Sequence, residues 1–304
     1  MPLRKDIWRP AIIEAPLAEI VARGSVEGFA RHWLPPLGSF QFLADPFGFW
    51  RNERLHVFVE AYDYRHRLGT IEVCIYDSSF RLLDRRPVLI EPWHLSYPFV
   101  FEAEGDIWML PEGHKSGRLT LYRAKAFPFE WEAATVIALD GLAVDATPFF
   151  HEDRWWLFYA AADRETDKMA ALHVAHAERL AGPWHAHPAN PVRVDRSGGR
   201  PGGTPVVVDG AIVLPVQDCG ETYGGAIRPL TITTLTPDRF EATLGDRIEA
   251  PADAAPFTEG LHTLAGAGDI TLIDVKQTVL SLHGLAIQAG ERIRREIRKR
   301  RARG

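Results

Sequence analysis

Hydrophobic positions along the chain fall in pairs of short runs, and each pair surrounds a polar turn. In the first pair, residues 44–50 and 55–60 are rich in aromatic and β-branched side chains, and residues 51–54 between them are polar. Such paired runs are typical of β-hairpins. The pattern recurs about five times, with copies that start near residues 45, 97, 145, 204 and 262. It therefore predicts an all-β chain built from repeated hairpins.

Prolines mark the repeat and give its period. Pro46, Pro98, Pro148 and Pro205 stand near the start of four copies, at steps of 52, 50 and 57 residues. A period near this length fits one four-stranded blade of a β-propeller per repeat. The sequence thus predicts a five-bladed β-propeller over residues 1–280, to which residues 7–13 are candidates to add a strand in the last blade. A β-sandwich with coincidental turn spacing is the alternative.

The last segment of the chain, residues 281–304, follows a different pattern. Five apolar residues recur there at helical spacing: Leu282, Ala286, Ala289, Ile293 and Ile297. This spacing predicts a short C-terminal α-helix. Residues 291–304 hold eight Arg or Lys against two Glu, a net charge of +6. A solvated tail and a contact with an anionic membrane surface or a protein partner are the two interpretations.

Charge and cysteine content exclude several classes of function. The net charge is −5, so the 290 residues before the basic tail carry −11. An acidic body argues against nucleic acid as a partner. Cys74 and Cys219 are the two cysteines, which leaves neither a disulfide framework nor a cysteine-based zinc site. The first residues have no signal-peptide core, and no apolar run reaches the ~20 residues of a membrane helix, so a cytoplasmic location is expected.

The candidate chemistry comes from polar residues at the ends of predicted strands. The first strand of every blade lines the axis of a propeller. The residues at the start of these strands therefore converge on one funnel. The candidates at these positions are Asp45, Tyr97, Asp145, Thr204 and His262. The ends of the second strands add Glu60, Glu112, Gln217 and Asp218. Aromatic residues that could stack on sugar rings are Trp93, Tyr97 and Tyr223.

Several carboxyl groups around one pocket are what glycoside cleavage requires. One group must stay protonated to assist the leaving oxygen, and another must stay ionised to activate water or attack carbon. Crowding of like charges separates their pKa values and makes this division of roles feasible. Structural roles are the alternative. Asp45 and Asp145 also suit Asx-type turns, and Glu60 could form an ion pair with Arg65 or Arg67.

Five short segments together resemble a specific domain family: residues 42–47, 110–112, 145–148, 216–218 and 223–226. They resemble the N-terminal propeller domain of plant glucosamine inositolphosphorylceramide transferase, a domain that also occurs in bacteria, alone or beside sugar formyltransferases. The resemblance covers roughly residues 30–280. It implies a five-bladed propeller related to glycoside hydrolase families 43, 32 and 68, acting in a glycan or glycolipid context.

The resemblance also implies roles for individual residues. Asp45 matches the general base or nucleophile of those hydrolases, and Asp145 matches a second aspartate at the start of blade three. His262 is similar in position to an axial histidine that is sometimes found beside a calcium ion or water. The general acid of the hydrolases is expected near residues 202–204, where this chain has no carboxyl group. Three carboxyl groups are candidate substitutes: Glu112, Asp218 and Glu221.

Two functions follow from these observations. The first is a glycoside hydrolase or transglycosylase in which Asp45 is base or nucleophile, Asp145 orients substrate or tunes a neighbouring pKa, and Glu112 is the acid. The second is a non-catalytic glycan-binding propeller that supports a glycosyltransferase or a sugar formyltransferase. Neither function needs a cofactor or metal ligand, apart from the calcium ion or water near His262. The expected substrate-binding residues are Glu60, Tyr97, Gln217, Asp218, Tyr223 and His262.

Overall fold

A computed structural model of the 304-residue chain describes residues 4–162, 167–280 and 290. Twenty-two β-strands and one α-helix, with three short 3-10 helices, make up the described part. Apart from residue 290, the C-terminal helix predicted over residues 281–304 lies outside the described residues. Within the described ranges, no helix is long and apolar enough to cross a membrane.

The chain starts in the last blade and then builds the other four in order. The N-terminal segment contains β1 (Arg4–Ile13), helix α1 (Leu17–Arg23) and β2 (Arg31–Trp33). Blade one contains β3 (Gln41–Arg51), β4 (Arg54–Asp63), β5 (Leu68–Tyr76) and β6 (Leu82–Leu89). Blade two contains β7 (Ser96–Ala103), β8 (Asp106–Glu112), β9 (Leu119–Ala126) and β10 (Glu130–Ile137). Blade three contains β11 (Ala143–His151), β12 (Arg154–Ala161), β13 (Ala171–Ala177), β14 (His185–Ala186) and β15 (Arg193–Val194). Blade four contains β16 (Arg200–Pro201), β17 (Val206–Val208), β18 (Ala211–Asp218), β19 (Ala226–Leu235) and β20 (Phe240–Leu244). Blade five is completed by β21 (Leu261–Ala267) and β22 (Ile270–Leu280), and the 3-10 helices are His114–Ser116, Asp167–Met169 and Ala252–Ala254.

Five separate antiparallel sheets confirm the five-bladed propeller. In blades one and two, strands that follow one another along the chain pair as neighbours within one sheet. Blades three and four follow the same order, except that β14 and β15 both pair with β13, and β16 and β17 both pair with β18. Blade five differs because it joins the two ends of the propeller in the strand order β2-β1-β22-β21. Strand β1 pairs with β22 from Arg4↔Leu280 to Ile13↔Thr271. The N-terminal strand therefore closes the ring, which confirms the expectation for residues 7–13.

Each contact between neighbouring blades buries its own apolar cluster. Leu272 and Leu43 belong to the cluster between blades five and one, and Ile71 and Met109 to the cluster between blades one and two. The next two clusters contain Leu110 with Leu157, between blades two and three, and Trp156 with Leu214, between blades three and four. Ile227 and Ile273 belong to the cluster between blades four and five. Burial of a large aliphatic or aromatic side chain stabilises a fold by about 1.5–3 kcal/mol. The apolar core is thus distributed around the ring, and the axis is left for polar residues.

The inner strands of the first three blades share a β-bulge near their start. Asp45, Tyr97 and Asp145 each lie within a register shift and adopt left-handed φ values of 49°, 46° and 50°. This conformation is uncommon for residues other than glycine, and a bulge turns a side chain in a new direction. His262 lies in a similar register shift of β21. The repeated bulge brings side chains from four blades toward the axis.

The inner strand of blade four is interrupted. Strands β16 and β17 both pair with β18, and Gly203 between them forms a parallel bridge with Leu264 of blade five. A Cβ atom on Gly203 would lie 1.9 Å from the Leu264 carbonyl oxygen, so this close contact requires glycine. The inner strand begins at Arg200, four residues before the Thr204 start given by the repeat. Thr204 instead accepts a hydrogen bond from the Gly266 N–H at 2.7 Å.

Candidate functional site

Buried polar side chains from all five blades meet at the axis. We call this set the axial cluster, and it consists of Asp45, Glu60, Glu112, Asp145, Arg200, Gln217, His262 and Asp274, all buried. An isolated charge is costly to bury, so such groups need partners or change their protonation state. The carboxyl groups of the axial cluster do both, and their neighbours decide which.

His262 lies between two carboxyl groups. Its Nδ1 is 2.7 Å from Asp274 Oδ1, and its Nε2 is 3.4 Å from Asp45 Oδ1. The Trp8 indole stacks on the imidazole with ring centroids 3.7 Å apart, which fixes the plane of the ring. Burial works to lower the pKa of His262, but the charges of Asp274 and Asp45 raise it above its ordinary value. The imidazole is thereby favoured in its charged form.

Asp45 has an unusual protonation equilibrium for an aspartate. Burial raises its pKa to about 7, although the charge of His262 acts in the opposite direction. One carboxylate oxygen accepts a hydrogen bond from the Tyr97 N–H at 3.1 Å, and the other lies 3.3 Å from the Thr263 hydroxyl. Both the protonated and the ionised forms are therefore present near neutral pH. Such a group is suited to accept a proton during a reaction.

The surroundings of Glu60 favour its protonated form. Burial, followed by the charges of Asp45 and Glu112, raises the pKa of Glu60 well above its ordinary value. The nearby base is His94, whose Nε2 lies 3.6 Å from Glu60 Oε1. Burial lowers the pKa of His94 to about 4, so this imidazole is neutral and does not stabilise an ionised glutamate. The alternative for Glu60, an ion pair with Arg65 or Arg67, is not formed among the described residues, and Arg65 binds Asp63 at 2.7 Å instead.

Glu112 is the opposite case. Its Oε1 accepts the His114 N–H at 2.8 Å and lies 2.6 Å from His114 Nδ1, while Oε2 accepts the Ser96 hydroxyl at 3.0 Å. Burial would raise the pKa of Glu112, but the hydrogen bonds and charge of His114 lower it to about 2. Glu112 therefore stays ionised. This argues against the proton-donor role that the sequence suggested for it.

Asp145 is engaged by residues of blade four. Arg200 Nε lies 2.6 Å from Asp145 Oδ2, and the Gln217 side-chain amide donates to the same oxygen at 2.9 Å. Burial raises the pKa of Asp145, and the charge of Arg200 opposes that rise. The Arg200 guanidinium also lies over the Tyr223 ring, 5.2 Å from its centroid. Blade four thus contributes a cation to the axis, where the resemblance implied a carboxyl group.

The other predicted binding residues differ in their access to a ligand. Tyr97 is fully buried, and its hydroxyl contacts Thr147 Oγ1 and the Gly203 N–H, each at 2.9 Å, so it joins three blades. Asp218 is buried beside Arg247, with a carboxylate-to-guanidinium distance of 3.2 Å. Tyr223 is half-buried, so it is less enclosed than the other two residues. Of these three side chains, that of Tyr223 is the best placed to contact a sugar.

Sequence reasoning missed Arg200 and Asp274. Arg200 lies in the segment Gly198–Gly203, whose four glycines resemble an interblade turn. Asp274 interrupts the hydrophobic run of β22, as Glu60 and Glu112 do in their own second strands. That interruption was a usable signal for Asp274. No comparable signal existed for Arg200, because Thr204 and Pro205 matched the repeat better.

Donor atoms of Asp45, His262 and Asp274 lie within 4.8 Å of one another and could hold a metal ion. Calcium prefers six to eight oxygen ligands, whereas this set supplies an imidazole and two carboxyl groups. Their oxygens also accept the backbone N–H groups of Tyr97 and Asp45. The set fits a hydrogen-bonded network better than the calcium site that the resemblance implied, and no reaction step is assigned to a metal.

Comparison with protein families and sequences gives one consistent result. The family model for the N-terminal region of glucosamine inositolphosphorylceramide transferase 1 matches residues 37–277. The transferase of that name from Arabidopsis thaliana is 31% identical over 279 residues, which is 90% of this chain and 34% of the relative. The one from Oryza sativa subsp. indica is 36% identical over 210 residues, 66% of this chain and 27% of the relative. The chain spans about a third or less of these relatives.

Several solved structures with a similar fold are of enzymes that are named for their action on carbohydrates. A family 117 glycoside hydrolase from Zobellia galactanivorans gives a TM-score of 0.56 at 12% identity, covering 82% of this chain and 90% of its own. The β-1,2-mannobiose phosphorylase of Listeria innocua gives 0.57 at 11% identity, covering 84% and 95%. An α-L-arabinofuranosidase from Podospora anserina gives 0.56 at 12% identity, covering 79% and 92%. At these identities the likeness shows the fold alone.

Proposed function

Because the chain belongs to the family of N-terminal domains of glucosamine inositolphosphorylceramide transferase 1, we propose that its axial cluster binds a glycan or glycolipid and cleaves or transfers a glycosidic bond. One observation carries this proposal. Asp45 and Glu60 belong to neighbouring strands, where Glu60 faces Ala44, and their carboxyl groups have different protonation equilibria. Two carboxyl groups with separated pKa values are the basis of acid–base division in glycoside hydrolysis.

The roles follow from the protonation states. Glu60, protonated at neutral pH, donates a proton to the oxygen of the leaving group. Asp45, in its ionised form, activates water or attacks the anomeric carbon. His262, held by Asp274, stabilises that ionised form by its charge. In this assignment Glu60 takes the acid role instead of Glu112, and Asp145 with Arg200 orients the substrate.

The assignment of the acid is tested by leaving-group dependence. Glu60→Gln is expected to slow cleavage of a glycoside with a poor leaving group by about 10²–10⁴-fold, because general acid catalysis contributes that much. The loss should be small for an aryl glycoside whose leaving group needs no proton. Glu112→Gln, the matched variant, should slow both substrates equally. Initial rates with the two substrates check this, and the reverse pattern between the two variants contradicts the assignment.

Glycan binding without turnover is the second candidate function. It is favoured by the ion pair between Arg200 and Asp145. Arg200 belongs to blade four, which is the blade that supplies the acid in the related hydrolases. In that case the propeller would hold a glycan for a glycosyltransferase or a sugar formyltransferase. Glycan binding without any product would support this function. The cytoplasmic location and a membrane or protein contact through residues 291–304 stay predictions from the sequence.

A further inference from the structure

A cavity lies where blade five meets blade one. Its volume is about 410 Å³, which is within the size range of small-molecule sites. Its wall is formed by β1, by the loop before β3 and by the end of β22. The apolar lining residues are Ile7, Trp8, Pro10, Pro35, Pro36, Leu37, Phe40, Phe42, Leu43, Phe257 and Val279. The cavity is therefore largely apolar, and none of the axial-cluster residues lines it.

Of the described residues that line this cavity, Arg9 is the charged one. Its guanidinium carbon lies 4.8 Å from the Trp33 ring centroid and 6.0 Å from that of Phe257. Within the described ranges it has neither a hydrogen bond nor an ion pair, and its Nε is buried without a partner. Arg31, which also lies over Trp33, differs because it binds Asp253 at 2.7 Å. Among the described residues, Arg9 is therefore a cation without an anionic partner.

We propose that this cavity binds a single-chain fatty acid, with its carboxylate on Arg9 and its hydrocarbon chain against the apolar walls. A guanidinium matches a carboxylate in charge and in bidentate geometry. One arginine balances one negative charge, whereas a phosphate monoester carries about −1.5 to −2. The basic segment 291–304, with its net charge of +6, does not complement Arg9.

Calorimetric titration of the full chain with monomeric decanoate tests the proposal. Decanoate is expected to bind at least about tenfold more tightly than 1-decanol, which has the same chain without the charge, because charge-assisted hydrogen bonds are the strong ones. Acetate, which has the charge without the chain, should not bind measurably. Equal affinity for decanoate and decanol, or no binding of decanoate, would overturn the proposal.

Two variants test the role of Arg9. Arg9→Gln should weaken decanoate binding at least about fivefold and leave decanol binding unchanged. Arg51→Gln is the matched control, because Arg51 also lies over an aromatic ring, 5.6 Å from the centroid of Phe127, but outside the cavity. Equal effects of the two substitutions would reject the role of Arg9.

A third variant decides the question if Arg9→Gln fails to fold. Gln277 lines the cavity and is a diagonal neighbour of Arg9, since Arg9 pairs with Val275 in the β1–β22 ladder. Gln277→Glu keeps the size of the side chain and supplies an internal anion for Arg9. It should weaken decanoate binding without affecting decanol. Unchanged decanoate binding in Gln277→Glu would contradict the proposal.

Discussion

Asp45, Glu60 and Glu112 are three buried carboxyl groups that differ in protonation because their partners differ. Glu112 accepts two hydrogen bonds from His114 and one from Ser96. Glu60 faces a neutral imidazole, and Asp45 faces a charged one. The repeat in the sequence places all three near the axis, but the pKa of each depends on groups whose positions only the fold determines. The sequence therefore suggested Glu112 as the acid, whereas the proposed mechanism gives that role to Glu60.

The raised pKa of Asp45 predicts a pH dependence of stability. A carboxyl group with a pKa raised to about 7 in the folded state stabilises the fold while it is protonated, and this contribution is lost as the pH rises toward and through 7. Between pH 5 and 8, the free energy of unfolding should fall more in the wild type than in Asp45→Asn, by roughly 2 kcal/mol. Urea unfolding at several pH values checks this.

Asp238→Asn provides the control for that measurement, because Asp238 is exposed. Its pH profile should match that of the wild type. If Asp45→Asn keeps the wild-type slope as well, Asp45 is not the group that titrates in this range, and its assignment as a base loses its physical support.

At the scale of strands, the repeat could be predicted because each blade repeats the same hairpin pattern. The exact alignment of one blade's sequence with the next could not be predicted, because equivalent positions are defined by the bulges and not by the prolines. Pro46 and Pro98 directly follow the bulged residues Asp45 and Tyr97, whereas Pro148 comes three residues after Asp145. In blade four the proline step points to Thr204, and the strand begins at Arg200. A proline at the start of a strand is tolerated at several positions, so it marks the strand only approximately.

The parallel bridge between blades four and five depends on Gly203. Gly203→Ala is expected to lower the free energy of unfolding by more than about 2 kcal/mol, because its Cβ would lie 1.9 Å from a backbone oxygen that cannot move freely. Gly105→Ala is the matched control, since Gly105 also has positive φ but no atom within 4 Å of the added Cβ. It should cost only about 1 kcal/mol. Chemical unfolding compares the two, and equal losses would contradict the importance of the bridge.

At the scale of the whole molecule, the chain closes a ring of five blades with its own N-terminal strand. Blade-to-blade contacts are apolar, so charged groups that cannot be placed there collect at the axis and around the outer surface. This division explains why candidate residues far apart in the sequence, such as Asp45 and His262, meet at one site. The number of blades and the candidate residues could be predicted from the repeat. The cation of blade four could not be predicted, and neither could the lack of an anionic partner for Arg9 among the described residues, because both depend on which neighbouring elements approach them.

Turnover of a panel of aryl glycosides by the full chain, with Asp45→Asn beside it, tests the central claim most directly. We expect the wild type to release product from at least one glycoside. Asp45→Asn, which has the same size, should lose about 10²–10⁴-fold in rate while it still binds the glycan. Glycan binding by the wild type without turnover of any glycoside, or an unchanged rate in Asp45→Asn, would contradict the claim.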